Sequence, residues 1–553
     1  MKKILFPLFL FFLLLFGCKT LNYKCRDSKP KGQFDWKAAN LYFLLTDRFY
    51  NGNPANDNLL QRNESTGKLR GFMGGDLKGV TKKIEEGYFN RLGINAIWLT
   101  PIVEQIHGPV NEGTGNTYGF HGYWTKDWTN IDPNFGTKAD LREMVEKAHE
   151  KGIRIVLDAV INHTGPVTSK DPVFPADWVR TGPKCSYNSY KNFIECTLVE
   201  NLPDVLTESQ KEVGLPEILL EKWKKEGRYE KEMASLDSFF KNTGLPRYPR
   251  YYIMKWLADF IIEFGIDGYR IDTSKHTEEE VWAEFNKICQ AAFARYKSEN
   301  PDKSLDDNDF FMLGEVYGYG LHGNLYYDFG DRKVNYFENG LSTLINFDFK
   351  GDANKDYETL FSSYNQILHN DLKEYNIANY ISSHDDGYPF DKKRTRTYES
   401  AVKLLLAPGI SQIYYGDETA RPLDIPGTEG DATLRSFMNW EDLEDSQETK
   451  KLLNHYQKLG QFRSKHPAVG AGLHKMISKN PYVFERKYSK NSFTDIVIIG
   501  LDLAEGKKVI KTGSNFKNGD ILYDHYSGEK AKVSGGEISI TTPFNILLLE
   551  KRF

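Results

Sequence analysis

The feature that most constrains this chain is an alternation. From about residue 38 to about residue 465, short β-branched and aromatic runs alternate with amphipathic helical stretches, the pattern of repeated βα units around a parallel sheet. The candidate strands are LYFLLTDRF, INAIWLTP, IRIVLDAVINH, IDGYRIDT, FFMLGEV, LINFDF, IANYISSHD and ISQIYYGDE, and eight such runs predict a closed (β/α)8 TIM barrel, an α/β fold. Between them lie helical patterns such as KADLREMVEKAHEKG, where Leu141, Val145 and Ala148 recur at spacings of four and three before a glycine stop. Two stretches depart from the alternation. About a hundred residues separate the third and fourth strands, first Pro-, Tyr- and Cys-bearing and then charged and helical around Glu217 to Phe240; a connection that long is a functional loop or a subdomain. After about Gly460 the runs YVFERKY, DIVIIGLDL and EISITTPFNILLLEKRF alternate in the strand period and predict an antiparallel β-sandwich. The expected organisation is a barrel over 37–162 and 205–460, an inserted subdomain over 163–204 and a C-terminal β domain over 461–553.

In such a barrel the C-terminal ends of the strands form one open face. Asp158 to His163, Arg270 with Asp272, Glu315, and His384 with Asp385 all fall at such ends. A single strand-end carboxylate is most often a cap or an ion-pair partner, but carboxylates from four strands converging on one face call for another explanation. They suit cleavage of an acetal through an oxocarbenium-like transition state: one carboxylate attacks, a carboxylic acid protonates the leaving oxygen, and further negative charge stabilises the developing cation. Arg270 lies two residues before Asp272, on the same strand face, and would keep it ionised. Glu315, crowded by two other carboxylates, would have its pKa raised and hold a proton near neutral pH.

The segments DAVINH (Asp158 to His163), GYRIDTSKH, GEV (Gly314 to Val316) and SSHD (Ser382 to Asp385) resemble, in order, the four signature regions of the α-amylase family, glycoside hydrolase family 13. LPD (Leu202 to Asp204) resembles its fifth region, and LYFLLTDRF, EQIHG and FHGYW extend the likeness, which is strongest to bacterial periplasmic α-amylases. The resemblance implies Asp272 as nucleophile, Glu315 as general acid/base and Asp385, rather than the neighbouring Asp386, as the stabilising carboxylate. It places His163 and His384 on the sugar at the cleavage subsite, with Tyr123 stacked there and His121, Trp124 and Arg270 completing the substrate-binding set. Lys275 and His276 are expected on the leaving-group side. The implied reaction is retaining, endo-acting hydrolysis of α-1,4-glucosidic bonds in starch, glycogen or maltodextrins. A glucanotransferase or a neopullulanase-like enzyme is the alternative, and a starch-binding lipoprotein without activity is the alternative of another class.

Calcium enters through the same resemblance. Asn162, Asp204 and the carbonyl of His276 match a structural Ca²⁺ site between barrel and insert, and oxygen-only ligands from distant segments suit that ion. A second site is expected in NGNPANDN with GGD, at Asn51, Asn53, Asn56, Asp57, Gly74 and Asp76. The bland alternative there is a Gly/Asn/Pro-rich turn without an ion.

The N-terminus bounds the compartment. Lys2 and Lys3 precede an apolar run from Ile4 to Phe16, too short to span a bilayer, which reads as a signal peptide over 1–17. LFGC resembles a lipobox, implying that Cys18 is lipidated and that 18–36 tethers an exported bacterial lipoprotein to a membrane, periplasmic or cell-surface. In an oxidising compartment Cys185 and Cys196 would close a small loop as a disulfide, and Cys289 is expected as a buried free thiol. With 72 basic and 76 acidic residues the net charge is −4 and no basic face is clustered, which excludes nucleic acid as the expected partner. The expected partner is an α-glucan, bound by a monomer.

Overall fold

A computed structural model describes residues 34–551. The signal peptide, Cys18 and most of the tether lie outside the described residues.

Eight parallel strands close the predicted barrel: β1 (Asn40–Leu44), β2 (Ala96–Leu99), β3 (Arg154–Ala159), β4 (Gly268–Ile271), β5 (Phe311–Gly314), β6 (Thr343–Asn346), β7 (Asn376–Tyr380) and β8 (Ile410–Tyr414). Each pairs with its successor, and β8 returns to β1. Every strand residue is buried, because the interior packs one face and the helices the other; such strands are written as near-continuous apolar runs. The helices that concern the site are α1 (Leu77–Glu85), α2 (Lys138–Glu150), α3 (Glu217–Lys225), α4 (Tyr229–Thr243), α5 (Pro249–Phe264), α6 (Glu279–Glu299), α7 (Tyr357–His369), α8 (Thr397–Leu405) and α9 (Gln447–Lys465). Helix α2 opens on a capping box between Thr137 and Asp140, which satisfies donors that a bare helix end would leave unpaired.

A second connection packs against the insert. The connection after β2 forms an antiparallel pair, Val103–Gln105 with Thr125–Ile131, that packs on residues 163–205 through Ile106, Trp124 and Leu202. Helices α3 and α4 follow and lead into α5. At the far end, α9 carries the barrel through residue 460 to Lys465, and the β domain begins at Leu473 rather than at 461. That domain comprises β9 (Leu473–Ser478), β10 (Tyr482–Lys490), β11 (Phe493–Leu501), β12 (Gly506–Lys511), β13 (Ile521–Asp524), β14 (Lys530–Lys532), β15 (Glu537–Thr542) and β16 (Leu547–Lys551). A six-stranded sheet in the order β9-β10-β11-β16-β13-β14 is accompanied by the pair β12-β15, around a core that includes Val483, Ile498, Ile510, Leu522 and Ile538.

Candidate active site

The strand register places the charged residues. Arg270 on β4 is the direct partner of Asp158 on β3 and of Leu313 on β5, and the ladder continues past the strand ends, Asp272 N donating to Ala159 O (3.0 Å) and Glu315 N to Ile271 O (3.0 Å). Side chains from three strands therefore meet at Arg270. Its Nη1 donates to Asp158 Oδ1 (3.0 Å) and to Asp272 Oδ1 (2.7 Å), and its Nη2 lies 2.7 Å from Glu315 Oε1. The guanidinium is 1 % exposed, so this is a desolvated charge cluster in which each carboxylate is held by a fixed fork. Asp158 also accepts from Tyr123 Oη (2.9 Å) and Trp98 Nε1 (3.1 Å), and it joins the cluster as one of the strand-end carboxylates.

Burial is the largest influence on Glu315 and pushes its carboxyl up to about 8; Asp272 and Asp385 add to the shift, while Arg270 and the Thr273 N–H opposing it are outweighed. Crowding by carboxylates, the reason read from the sequence, is the lesser cause. Asp158 is pushed up to about 7, again chiefly by burial. Thr273, directly after the expected nucleophile, has φ 47°, a left-handed conformation that costs a β-branched residue energy and turns the chain sharply off β4 into Ser274–His276.

The remaining expected residues divide. His384 stacks on Tyr123 (centroids 5.4 Å, 19°), with its Nε2 3.7 Å from Asp385 Oδ2, and His163 Nε2 meets Tyr123 O at 3.1 Å. Asp386 is taken up elsewhere: its carboxylate pairs with Lys350 and accepts from Tyr380 Oη at 2.6 Å, leaving Asp385 as the more open of the two. Lys275 Nζ donates to Tyr317 O (2.8 Å) and Tyr327 Oη (3.3 Å), and burial pushes it down to about 8. His276 Nδ1 bonds Phe193 O at 2.9 Å. His121 lies behind Tyr123, accepting its backbone N–H at 3.1 Å and stacking on its ring. Trp124 meets His121 edge-on (centroids 4.8 Å) and packs with Ile106 and Leu202 where hairpin and insert join. Arg435, which the sequence reading passed over, reaches in from the connection after β8, its Nε donating to His384 O (2.9 Å) and its Nη2 pairing with Asp431 (2.6 Å). Its DATLR context offers no strand-end or motif signal.

The sulfurs of Cys185 and Cys196 are bonded and Cys289 is buried and free. Among the described residues no group of three or more His, Cys, Asp or Glu side chains is placed to hold a metal, so either calcium place depends on carboxamide and carbonyl oxygens. In the Asn51–Asn58 loop, Asn51 Oδ1 and Asn56 Oδ1 are buried without a donor, and a Cβ added at Gly74 (φ 89°) would meet Asn51 Nδ2 at 2.5 Å and Asp57 Oδ1 at 2.9 Å. Asn51 Nδ2 donates to both Asp57 oxygens (3.0 Å each), so it is the unpaired Asn51 and Asn56 oxygens that fit a hard cation here. Asp76 contributes differently from expectation, its oxygens accepting Gly52, Asn53 and Gly79 N–H groups at the start of α1. At the barrel–insert joint, Asn162 O accepts Val205 N (2.8 Å) and Asn162 Oδ1 accepts Thr277 Oγ1 (3.2 Å). Both Asp204 oxygens are buried without an aligned donor, although Arg180 Nε lies 2.8 Å from Oδ2, and burial holds this carboxyl well above the usual range. The donors fit calcium here too, with Arg180 already supplying one positive charge.

Known proteins resemble this chain in sequence and fold. A family model described as the catalytic domain of alpha amylase matches residues 43–463. The periplasmic alpha-amylase of Escherichia coli (strain K12) is 35% identical over 524 residues, covering 84% of this chain and 72% of that one. A cyclomaltodextrin glucanotransferase of Bacillus licheniformis is 26% identical over 561 residues, 98% of this chain and 71% of its own. Among solved structures, an Anoxybacillus alpha-amylase shares the fold with a TM-score of 0.64 at 24% identity, over 94% of this chain and 100% of that chain. The barrel, the converging carboxylates and these likenesses lead to one conclusion: the chain belongs to the α-amylase family and is a glycoside hydrolase of that family.

Proposed function

We propose that the protein hydrolyses α-1,4-glucosidic bonds within starch-derived glucans with retention of configuration. The observation that carries this reading is the Arg270 fork, with Asp272 on one nitrogen and Glu315 on the other. One guanidinium holding two carboxyls brings a nucleophile and an acid to the same glycosidic bond, as the two-carboxylate mechanism of a retaining glycosidase requires. Asp272, charge-paired to Arg270, attacks the anomeric carbon. Glu315, neutral because it is buried, gives its proton to the departing glycosidic oxygen and then takes one from the water that releases the sugar. Asp385 faces the developing positive charge, and Tyr123 and His384 form a stacked wall for the ring. Asp272→Asn or Glu315→Gln is expected to abolish release of reducing sugar from soluble starch while leaving the melting temperature within a few degrees; near-full activity in either variant would sink the reading. Hydrolase and glucanotransferase share these steps up to the covalent intermediate, and products from maltoheptaose longer than the substrate would reveal the transferase.

Calcium is part of the proposal. Asn51, Asn56, Asp57 and the Gly74 backbone would hold one ion, and Asn162, Asp204 and the His276 carbonyl another, where it would tie loops to the barrel and take no part in bond cleavage. Treatment with EDTA should lower the melting temperature and added Ca²⁺ restore it; a melting curve indifferent to both would overturn this part. Export as a lipoprotein acylated at Cys18 is proposed on the N-terminal sequence, together with the E. coli relative's description as periplasmic.

A further inference from the structure

The turn that carries Asp385 is fastened on both sides of that residue, while the Asp385 side chain itself is held only lightly. Ser383 Oγ donates to its Oδ1 at 3.1 Å, His384 Nε2 stands off at 3.7 Å, and 29 % of the side chain is exposed. Before it, the His384 carbonyl accepts Arg435 Nε at 2.9 Å. After it, Asp386 is 2 % exposed and fully engaged: Tyr380 Oη donates to Oδ2 (2.6 Å), the Tyr388 N–H to Oδ1 (3.0 Å), and Lys350 Nζ pairs with Oδ2. Phe390 N then closes the loop on Ile381 O (2.8 Å).

Lys350 comes from a different connection. It stands on the helical turn Phe349–Asp352 that follows β6, and that turn is itself fixed: Phe349 is fully buried, and Asp352 accepts Tyr364 Oη (3.0 Å) and pairs with His322 (2.8 Å). Burial alone would raise the Asp386 pKa, but hydrogen bonds from Lys350 and Tyr380 hold it below its ordinary value. An apolar pair would have joined the two connections with no charge to desolvate. What the ion pair adds is direction, because a carboxylate held by three donors at fixed positions cannot turn without losing one of them.

We propose that Lys350 is a positioning residue for the reaction: by clamping Asp386 it fixes the backbone from which Asp385 faces the developing positive charge of the sugar. The inference rests on the hydrolase reading above, in which Asp385 stabilises the transition state. A group that meets a transient charge is most effective when it is already in place, and an error of about 1 Å in its position costs about a hundredfold in rate.

The test is a double-mutant cycle on the full-length enzyme, with kcat and KM measured on maltoheptaose well below the melting temperature of each variant. Lys350→Met is expected to lower kcat about a hundredfold with little change in KM, as when an interaction made only in the transition state is lost, and Lys350→Arg to restore most of it. Asp385→Asn removes the group that Lys350 positions. In that background Lys350→Met should lower kcat less than about threefold further, because two changes that disable one unit do not multiply. Tyr380→Phe takes one donor from Asp386 and keeps the ion pair, so it carries the same cycle with a smaller loss and serves if Lys350→Met does not fold. A residue that only supports the fold would lower kcat by the same factor in both backgrounds. Equal factors, or wild-type kcat in Lys350→Met, would overturn the inference and leave the hydrolase reading intact. Full activity of Asp385→Asn alone would instead remove the role of that carboxylate, and this inference with it.

Discussion

Arg270 carries more than its place in the sequence disclosed. Its position two residues before Asp272 pointed to a counter-ion for that carboxylate, but only the register across β3, β4 and β5 reveals one guanidinium holding Asp158, Asp272 and Glu315 together. The residues of the site were legible where a motif sits at a strand end, and illegible where tertiary packing decides: Arg435 arrives from a connection with no distinguishing pattern. The pH dependence follows from burial of Glu315. The acid must be protonated to act, so with its carboxyl at about 8, kcat/KM should hold through neutrality and fall as pH rises through that value. The Asp385 charge helps to keep the proton on Glu315, and Asp385→Asn should move this alkaline limb of the residual activity to lower pH. A pH–rate profile of both proteins on soluble starch checks the sign, and a limb that does not move would show that Asp385 does not act on Glu315 through its charge.

The barrel strands could be read in advance because parallel strands covered on both faces must be apolar almost throughout. The connection after β2 could not, since TKDWTNI mixes charged and apolar residues in a strand whose partners are ionic. Asp127 in that strand is fully buried and accepts from Lys222 (2.9 Å), Arg228 (3.1 Å) and Thr129 (2.6 Å), fastening the last turn of α3 and the start of α4 to the hairpin. Burial alone would raise its pKa, but the two cations hold it below the ordinary value. Removing one partner of such a cluster strands the others, so Asp127→Ala should cost about 3 to 5 kcal/mol in denaturant unfolding. Because this cluster is apart from the Arg270 fork, kcat on starch well below the melting temperature should stay near wild type; a loss under 1 kcal/mol would mean that water takes the carboxylate's place. Gly460 shows the opposite kind of error. The pattern of the sequence changes at about this residue, yet it lies inside α9, where a Cβ would come within 2.0 Å of the Leu92 carbonyl. The glycine is there for close packing of the helix on the loop before β2, and the domain boundary inferred from it fell early.

At the scale of the whole molecule, barrel and C-terminal sheet meet at the end of α9, over groups that no local pattern announces. Arg463 donates to the carbonyls of Leu405 and Ala407, and Arg486 from β10 to that of Leu406, so two buried guanidinium groups satisfy the carbonyls that end α8. Next to them His466 bridges the sheet, Nδ1 to Asp495 Oδ1 (2.8 Å) and Nε2 to Glu550 Oε2 (2.7 Å). Burial disfavours the imidazolium, but hydrogen bonds to two carboxylates outweigh it and raise the pKa above its ordinary value. A histidine whose pKa is raised by folding stabilises the fold fully below its unfolded pKa and loses that contribution as pH rises through the folded value. Only the charged ring can donate to both carboxylates at once, whereas the neutral one leaves one of them without a proton. His466→Gln should therefore cost about 2 kcal/mol at pH 6, the scale of a buried charge-assisted hydrogen bond, and clearly less at pH 9. Denaturant unfolding of wild type and variant at the two pH values makes the comparison. An equal deficit at both would mean that the imidazole joins the domains by its shape and not by its charge.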